Sequence, residues 1–191
     1  MRLGIALFVA IAVVPWASTR GQSIDGWQKL VNPPGYLHSR SGLIFPSQIE
    51  ALKQLEPTSY EPQGRNSSIG YNASQHRLAI TVYIYPKYGN NMPDVLSNEL
   101  HHIQRAHSGM SVGMAGPMKM PFGGADAARD TFGAYIIYDL DTTEVGSLLV
   151  LVPFENNLLK LRATWVRSEE GLKYSMAQIR TLLASIARVD R

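Results

Sequence analysis

The stretch that decides the fold is residues 131–166, TFGAYIIYDLDTTEVGSLLVLVPFENNLLKLRATWV. It predicts three consecutive strands, at 131–140, 145–152 and 158–166, because turn-forming residues separate three β-rich runs. The middle run is apolar on both faces at 148–152, as in a central strand covered from both sides. The third run alternates, with polar residues such as Lys160 and Arg162 on one face and leucines on the other. The stretch therefore predicts an antiparallel meander at the centre of a sheet.

Two helices are predicted to pack on this sheet. Residues 172–186 follow the meander and carry apolar side chains at spacings of 4, 3, 4 and 3, which is an amphipathic helical pattern. We expect this helix to bury five side chains against the meander: Leu172, Met176, Ile179, Leu183 and Ile186. A second helix is predicted at 94–107, directly after Pro93, with a narrower apolar stripe.

The N-terminal half supplies further strands. Residues 77–85 alternate strictly, and residues 69–72 predict a shorter strand before them. Residues 36–45 predict a small hairpin, 49–55 a turn or two of helix after a capping box, and 117–122 an edge strand. The prediction is an α+β domain at 22–191, with an antiparallel sheet of about six strands packed with two main helices. Residues 22–35 form either a short strand or an N-terminal arm of this domain.

Composition excludes several classes of protein. The 191-residue chain contains no cysteine, which rules out disulfides, thiolate metal sites and a cysteine nucleophile. Its formal charge is +3, from 18 basic and 15 acidic residues. Two of those basic residues, Arg2 and Arg20, lie in a segment that we expect to be removed, which leaves a charge of +1. A nearly neutral protein has little electrostatic attraction for nucleic acid, so we expect no nucleic-acid partner.

Residues 1–21 have the order of a secretory signal peptide. Arg2 precedes a continuous apolar run at 3–14, and small residues follow at 17–21. The run is too short for a membrane-spanning helix of about 20 residues, and no second run of that length follows. An uncleaved N-terminal anchor is the alternative. We expect the mature protein to be periplasmic or secreted, with no membrane span after removal of the signal.

One stretch of the sequence matches the residue pattern of a catalytic motif. Residues 109–113, GMSVG, match the G-x-S-x-G nucleophile elbow, which would make Ser111 a nucleophile. That motif requires a strand before the serine and a helix after it, whereas here a predicted helix precedes it. All five histidines also come before Ser111 in the chain. A hydrolase of unrecognised type remains an alternative, but we expect that the protein is not an enzyme.

Histidines and methionines at 101–120 suggest a metal site as a second alternative. Imidazole and thioether groups suit copper, and an extracytoplasmic address fits copper handling. The ordinary interpretation of the same residues is solvated helix histidines and gap-filling methionines. The candidate ligands of copper or another metal are His101, His102, His107, Met110, Met114, Met118 and Met120.

A candidate ligand face lies on the polar side of two predicted strands. Tyr83 and Tyr85 share one side of the strand at 77–85, and Lys160 and Arg162 share one side of the strand at 158–166. If these sides coincide, they would bind something planar or anionic. Tyrosines are also ordinary β-formers, so the same pattern is compatible with a purely structural role.

The order of these segments resembles a known fold. The residues that carry the resemblance are GLIFP at 42–46, a lone Tyr60, Gly70–Tyr71 opening a strand, TVYIY at 81–85, a helix, the meander with LKLRAT at 159–164, and a closing helix. In layout this is similar to the PsbP/Mog1-like α/β fold and to small secreted bacterial domains of uncharacterised role, over residues 36–186. The resemblance implies an assembly or interaction factor and identifies no site residue.

The leading hypothesis is therefore an exported, non-catalytic binding or assembly factor. It combines the signal peptide, one domain without a recognisable catalytic constellation, and the resemblance in layout. The partner would be a protein of the envelope or the secreted fraction, and no cofactor is expected apart from the copper alternative.

Overall fold

The structure is a computed structural model that describes residues 26–123 and 128–189. The predicted signal peptide, residues 1–21, lies outside the described residues. The described residues contain two α-helices, α1 (Met92–Ala106) and α2 (Glu169–Ser185), with a short 3-10 turn at Gln75–Arg77. The strands are β1 (Trp27–Val31), β2 (Pro34–His38), β3 (Leu43–Pro46), β4 (Gln48–Ile49), β5 (Leu52–Gln54), β6 (Thr58–Ser59), β7 (Ser67–Ala73), β8 (Leu78–Pro86), β9 (Ser111–Pro121), β10 (Ala128–Leu140), β11 (Thr143–Phe154), β12 (Asn157–Val166) and β13 (Ala187–Arg188).

The strands form two antiparallel sheets. The large sheet has nine strands, in the order β4-β5-β7-β8-β12-β11-β10-β9, with β6 paired to β7 at its side. The small sheet has four, in the order β1-β2-β3-β13. The α+β class with two main helices is confirmed, but the prediction of about six strands is wrong. The additional strands are mostly short, such as β4, β5 and β6, and two or three residues cannot display a period of two.

The predicted meander forms the centre of the large sheet. Strands β10, β11 and β12 pair in sequence, with Leu149 of β11 between Ala134 and Arg162. Leu149, Val150 and Leu151 are fully buried, as expected for a central strand with both faces covered. Strand β8 then pairs with the outer side of β12 and places Tyr83 opposite Lys160.

The two helices cover opposite faces of the large sheet. Helix α1 packs on one face with Val95, Leu96 and Ile103, against a cluster that includes Ile136 and Leu149. Helix α2 lies on the other face, where its side chains join a larger cluster drawn from both sheets. The molecule is a three-layer sandwich in which the sheet separates two apolar cores.

Helix α2 buries most of the side chains that its sequence predicts, and a serine caps its first turn. The Ser168 hydroxyl caps its first turn by accepting a hydrogen bond from the Gly171 amide, at 2.9 Å. Of the five side chains expected to be buried, Ile179, Leu183 and Ile186 have no exposed surface, whereas Leu172 and Met176 are half-buried at the edge of the cluster.

One local prediction is wrong, and two others are confirmed with different bounds. Residues 49–55 form the hairpin of β4 and β5 instead of helical turns, because Glu50 adopts a positive φ of 50° that ends any helix. The edge strand predicted at 117–122 is confirmed as the C-terminal part of β9, which already begins at Ser111. Its Gly, Met and Pro residues hide the strand period. Of the two alternatives for residues 22–35, the structure has the short strand, β1, which pairs with β2 in the small sheet.

Candidate functional site

The residues of the candidate ligand face lie together on the α1 side of the large sheet. Tyr83 and Tyr85 on β8 alternate with Val82 and Ile84, which point into the α2-side core. Lys160 pairs across the sheet with Tyr83. Its ammonium lies 4.7 Å from the centre of the Tyr83 ring and 5.7 Å from that of Tyr85. The pairing of β8 with β12 thus brings the two predicted strand faces together.

Helix α1 contributes a buried carboxylate to this face. Glu99 is 6% exposed, and its Oε1 atom accepts hydrogen bonds from the hydroxyls of Tyr85, at 2.8 Å, and Tyr88, at 2.7 Å. Its Oε2 atom accepts from the Lys160 ammonium at 3.0 Å. The tyrosine rings stack on each other with their centres 5.9 Å apart. The network fixes α1 to β8 and β12.

The protonation states in this network follow from its geometry. Burial opposes ionisation of Glu99, but the Lys160 charge and the three hydrogen bonds outweigh burial and hold the pKa of Glu99 below its ordinary value of 4.5. Burial, followed by the Glu99 charge, raises the pKa of both Tyr85 and Tyr88 well above 10.0. The carboxylate is therefore charged and the two hydroxyls keep their protons at neutral pH. Each hydrogen bond of this network therefore joins a neutral hydroxyl or an ammonium donor to an ionised acceptor.

Arg162, two residues from Lys160 on β12, lies in a second group. Its Nη2 atom donates to the Tyr138 hydroxyl at 3.0 Å, and its Nε atom lies 3.5 Å from the Ser147 hydroxyl. The imidazole of His107, just after α1, stacks on the Tyr138 ring, with ring centres 4.1 Å apart. Burial and then the Arg162 charge lower the pKa of His107 below 6.5. His107 is thus neutral at neutral pH.

Exposed apolar and aromatic side chains extend this face beyond the helix. The Tyr60 hydroxyl hydrogen-bonds to Ser68 at 2.9 Å, on the α1 side of β7, and the Tyr60 side chain is 51% exposed. Leu55 is 47% exposed and lies over Gly70, where a Cβ atom would come within 3.0 Å of it. We call this surface the tyrosine face and define it by Leu55, Tyr60, Tyr83, Tyr85, Tyr88, Lys160 and Arg162.

Four residues that matter to this face escaped the sequence prediction. Leu55, Tyr60 and Tyr88 lie in short or irregular segments, so no period assigns them to a side of the sheet. Glu99 lies on the same helical face as the apolar Leu96 and Ile103, where a carboxylate requires a partner. That position in the stripe was a usable signal for a buried, paired glutamate. The identity of its partners depends on how α1 docks.

The candidate metal ligands lie on both sides of the large sheet. His101 and His102 are exposed on α1, and the His102 Nδ1 atom lies 2.6 Å from the Arg105 guanidinium. Met110 packs against the α1-side core, Met114 is 72% exposed, and Met118 and Met120 pack in the α2-side core. Among the described residues, no group of three or more His, Cys, Asp or Glu side chains could hold a metal ion. Copper binding stays a prediction that titration can test.

The hydrolase alternative finds no nucleophile elbow at Ser111. This residue is exposed at the start of β9 and follows a helix, whereas the motif requires a turn from strand to helix. A serine–histidine contact does occur in the small sheet, between the Ser41 hydroxyl and His38 Nδ1 at 2.8 Å. Both residues are buried, and His38 Nε2 donates to the Gly64 carbonyl, which leaves no carboxylate to orient the ring. This pair therefore has a structural role.

Comparison with solved structures identifies the fold. The chain is similar to cyanobacterial PsbP (CyanoP) from Synechocystis sp. PCC 6803, with a TM-score of 0.53 and 13% sequence identity. The match covers 92% of this chain and 99% of that one. No family model matches the sequence, and no curated protein does. The chain therefore has a PsbP-like fold, as its layout predicts, and identity this low shows the fold alone.

Proposed function

We propose that this protein is an extracytoplasmic binding or assembly factor without chemistry of its own, and that a protein partner docks on the tyrosine face. The observation that carries the proposal is the exposure of Leu55, Tyr60 and Tyr88 on one side of the sheet, around the half-buried Tyr83 and Tyr85. Contiguous exposed apolar side chains are typical of interaction sites. Tyrosine and arginine are also enriched in protein interfaces.

The same surface is poorly suited to catalysis. Its carboxylate, Glu99, is occupied by two tyrosine hydroxyls and Lys160. These bonds hold each group in a fixed position and a fixed protonation state. A rigid aromatic surface loses little conformational entropy when a partner covers it, which favours binding.

The extracytoplasmic location rests on the sequence of residues 1–21. The structure adds one observation on membranes: within its described residues, no helix has the length and apolar character needed to cross a bilayer.

The test is affinity capture of the tagged full-length protein from the envelope and secreted fractions of its source. We expect a protein that co-purifies in a defined ratio and is lost from the variant Leu55→Ala/Tyr60→Ala. The matched control is Val31→Ala/Met114→Ala, which truncates side chains that are 90% and 72% exposed but lie away from the tyrosine face. Equal loss from both variants, or turnover in a broad hydrolase screen without any captured protein, would contradict the proposal.

A further inference from the structure

Arg162 is a half-buried cation whose hydrogen-bonding capacity is only partly used. A guanidinium has five N–H donors. The contact to Tyr138 uses one of them, and the long contact to Ser147 uses a second. The other three N–H groups, including both on Nη1, have no hydrogen-bond partner in the described part of the chain. The Cζ atom lies 5.4 Å from the centre of the Tyr138 ring, so the guanidinium also contacts the face of that ring.

Among the residues that the structure describes, no carboxylate neutralises this charge. Within residues 26–123 and 128–189, six ion pairs are closer than 4.0 Å, and Arg162 is in none of them. The buried carboxylate of the tyrosine face, Glu99, is paired with Lys160 instead. A partly buried charge without a counter-ion is unfavourable, and it becomes favourable when an anion binds.

The surroundings of Arg162 suit an anion attached to an apolar or aromatic group. Tyr138 and His107 stack on one side, and the ring of Tyr83 lies on the neighbouring strand. Burial raises the pKa of Tyr83, with the nearby Tyr60 adding to the effect and Arg162 opposing it, so its hydroxyl stays protonated. The titratable or charged groups around the site are then Arg162, His107, the tyrosines and the Lys160–Glu99 pair.

We propose that Arg162 is the anchor of the tyrosine face and binds a carboxylate of the partner, from an acidic side chain or a chain terminus. This inference rests on the proposed function and adds the chemistry of the contact. A guanidinium binds a carboxylate through two parallel hydrogen bonds, which three free N–H groups permit.

The charge at the site selects a monoanion. Lys160 is neutralised by Glu99, so one positive charge remains to be balanced, that of Arg162. A carboxylate balances it. A phosphate dianion would leave an excess negative charge on the same face of the sheet as the Glu99 carboxylate, and like charges in a half-buried site repel.

His107 provides a reporter for this site, because it lies against Tyr138 beside the guanidinium. The experiment titrates the full-length protein with sodium acetate at constant ionic strength, with chloride as the replaced ion, and follows the His107 ring by NMR across a pH series. We expect acetate to raise the pKa of His107 saturably, since a bound anion offsets the Arg162 charge. Phosphate at the same ionic strength should do so less.

Two substitutions separate the guanidinium from general charge effects. In Arg162→Gln, the pKa of His107 should start higher and no longer respond to acetate. In Arg162→Lys, the charge remains without the planar fork, and acetate should bind about tenfold more weakly. Arg65→Gln, which removes an exposed arginine that pairs with Glu61, is the matched control and should behave as the wild type.

The same variants are then used with the captured partner. Loss of capture in Arg162→Gln but not in Arg65→Gln is expected. An unresponsive His107, a stronger response to phosphate than to acetate, or an unchanged response in Arg162→Gln would overturn the carboxylate site even if the partner is captured. Normal capture by Arg162→Gln would overturn the assignment of the carboxylate to the partner. Conversely, an acetate response in a protein that captures nothing would leave the site standing and refute the proposed function.

Discussion

The ion pair between Glu99 and Lys160 gives the sharpest prediction about this fold. The side chain of Glu99 is 8% exposed and that of Lys160 is 22% exposed. The substitution Lys160→Met keeps the length and the apolar part of the side chain but leaves the carboxylate buried without its cation. Breaking a buried ion pair costs about 3–5 kcal/mol. Because the ammonium keeps some contact with water, we expect a value near the lower limit, about 3 kcal/mol.

The pH dependence identifies the cause of this loss. In the wild type, the lowered pKa of Glu99 means that the carboxylate contributes stability above 4.5, its ordinary value, and that this contribution disappears as the pH falls through the lower folded-state pKa. In Lys160→Met, burial dominates and the pKa of Glu99 rises. Protonation then relieves the buried charge, so the difference from the wild type should shrink as the pH falls toward 4.5.

The assay is urea unfolding followed by tryptophan fluorescence and far-UV circular dichroism, at neutral and at acidic pH. The matched control is Lys173→Met, which breaks the exposed pair with Glu169 and should cost at most about 0.5 kcal/mol. The double variant Glu99→Gln/Lys160→Met should recover most of the loss, because a neutral amide oxygen still accepts from both tyrosines. A loss below about 1 kcal/mol, or one that is equal at both pH values, would refute a buried, charge-dependent network.

Three further predictions concern other parts of the molecule. Burial lowers the pKa of His38 below 6.5, and the Arg40 charge adds to this effect while the hydrogen bond to Gly64 opposes it. The free energy of unfolding should therefore fall as the pH drops below 6.5. In urea unfolding, His38→Gln should flatten this decline, whereas His101→Gln, at an exposed position, should not. Ile179→Ala should cost about 2–5 kcal/mol in the same assay, because its side chain is fully buried beneath α2, whereas the exposed Arg180→Ala should cost less than about 0.5 kcal/mol. Four methionines of the copper alternative lie on both sides of the sheet, so their replacement by leucine should not change the affinity for copper. This affinity is measured for Cu(I) and Cu(II) by competition with a chelator. A loss of affinity of at least tenfold would favour the copper alternative. These methionines are Met110, Met114, Met118 and Met120.

The sequence predicts the central sheet well because burial there imposes a strong pattern. Strand β11 is buried on both faces, at Leu149 on the α1 side and at Val150 on the α2 side. Strand β8 alternates between buried residues such as Val82 and half-buried residues such as Tyr83, so a short window of sequence is enough to predict each strand. Strand β9 is different. It pairs on one side only, and much of it faces solvent, so Gly, Met and Pro are tolerated and the period is lost.

The candidate site was predictable in part for the same reason. The shared face of Tyr83, Tyr85, Lys160 and Arg162 follows from two clear strand patterns, once β8 and β12 are neighbours. The network itself was not predictable, because it requires the position of α1 over the sheet. Glu99 reaches Lys160 across 61 positions of sequence, a contact that no local pattern encodes.

The two faces of the large sheet differ in a way that bears on function. Beneath α2 the core contains a large apolar cluster, whose burial stabilises the fold, and the helix buries the polar side chains of Ser175 and Gln178 beside it. Beneath α1, Glu99 and Lys160 occupy positions where apolar side chains of similar volume would be neutral or stabilising by about 1–4 kcal/mol. The pair therefore has little value for stability alone. Under the proposed function it has two effects: it orients Tyr85 and Tyr88 at the surface, and it cancels the charge of Lys160 so that Arg162 is the cation available to a partner. A Glu99→Leu/Lys160→Met protein that unfolds at higher urea concentration but captures its partner more weakly would support this account, and one that gains stability with no loss of capture would refute it.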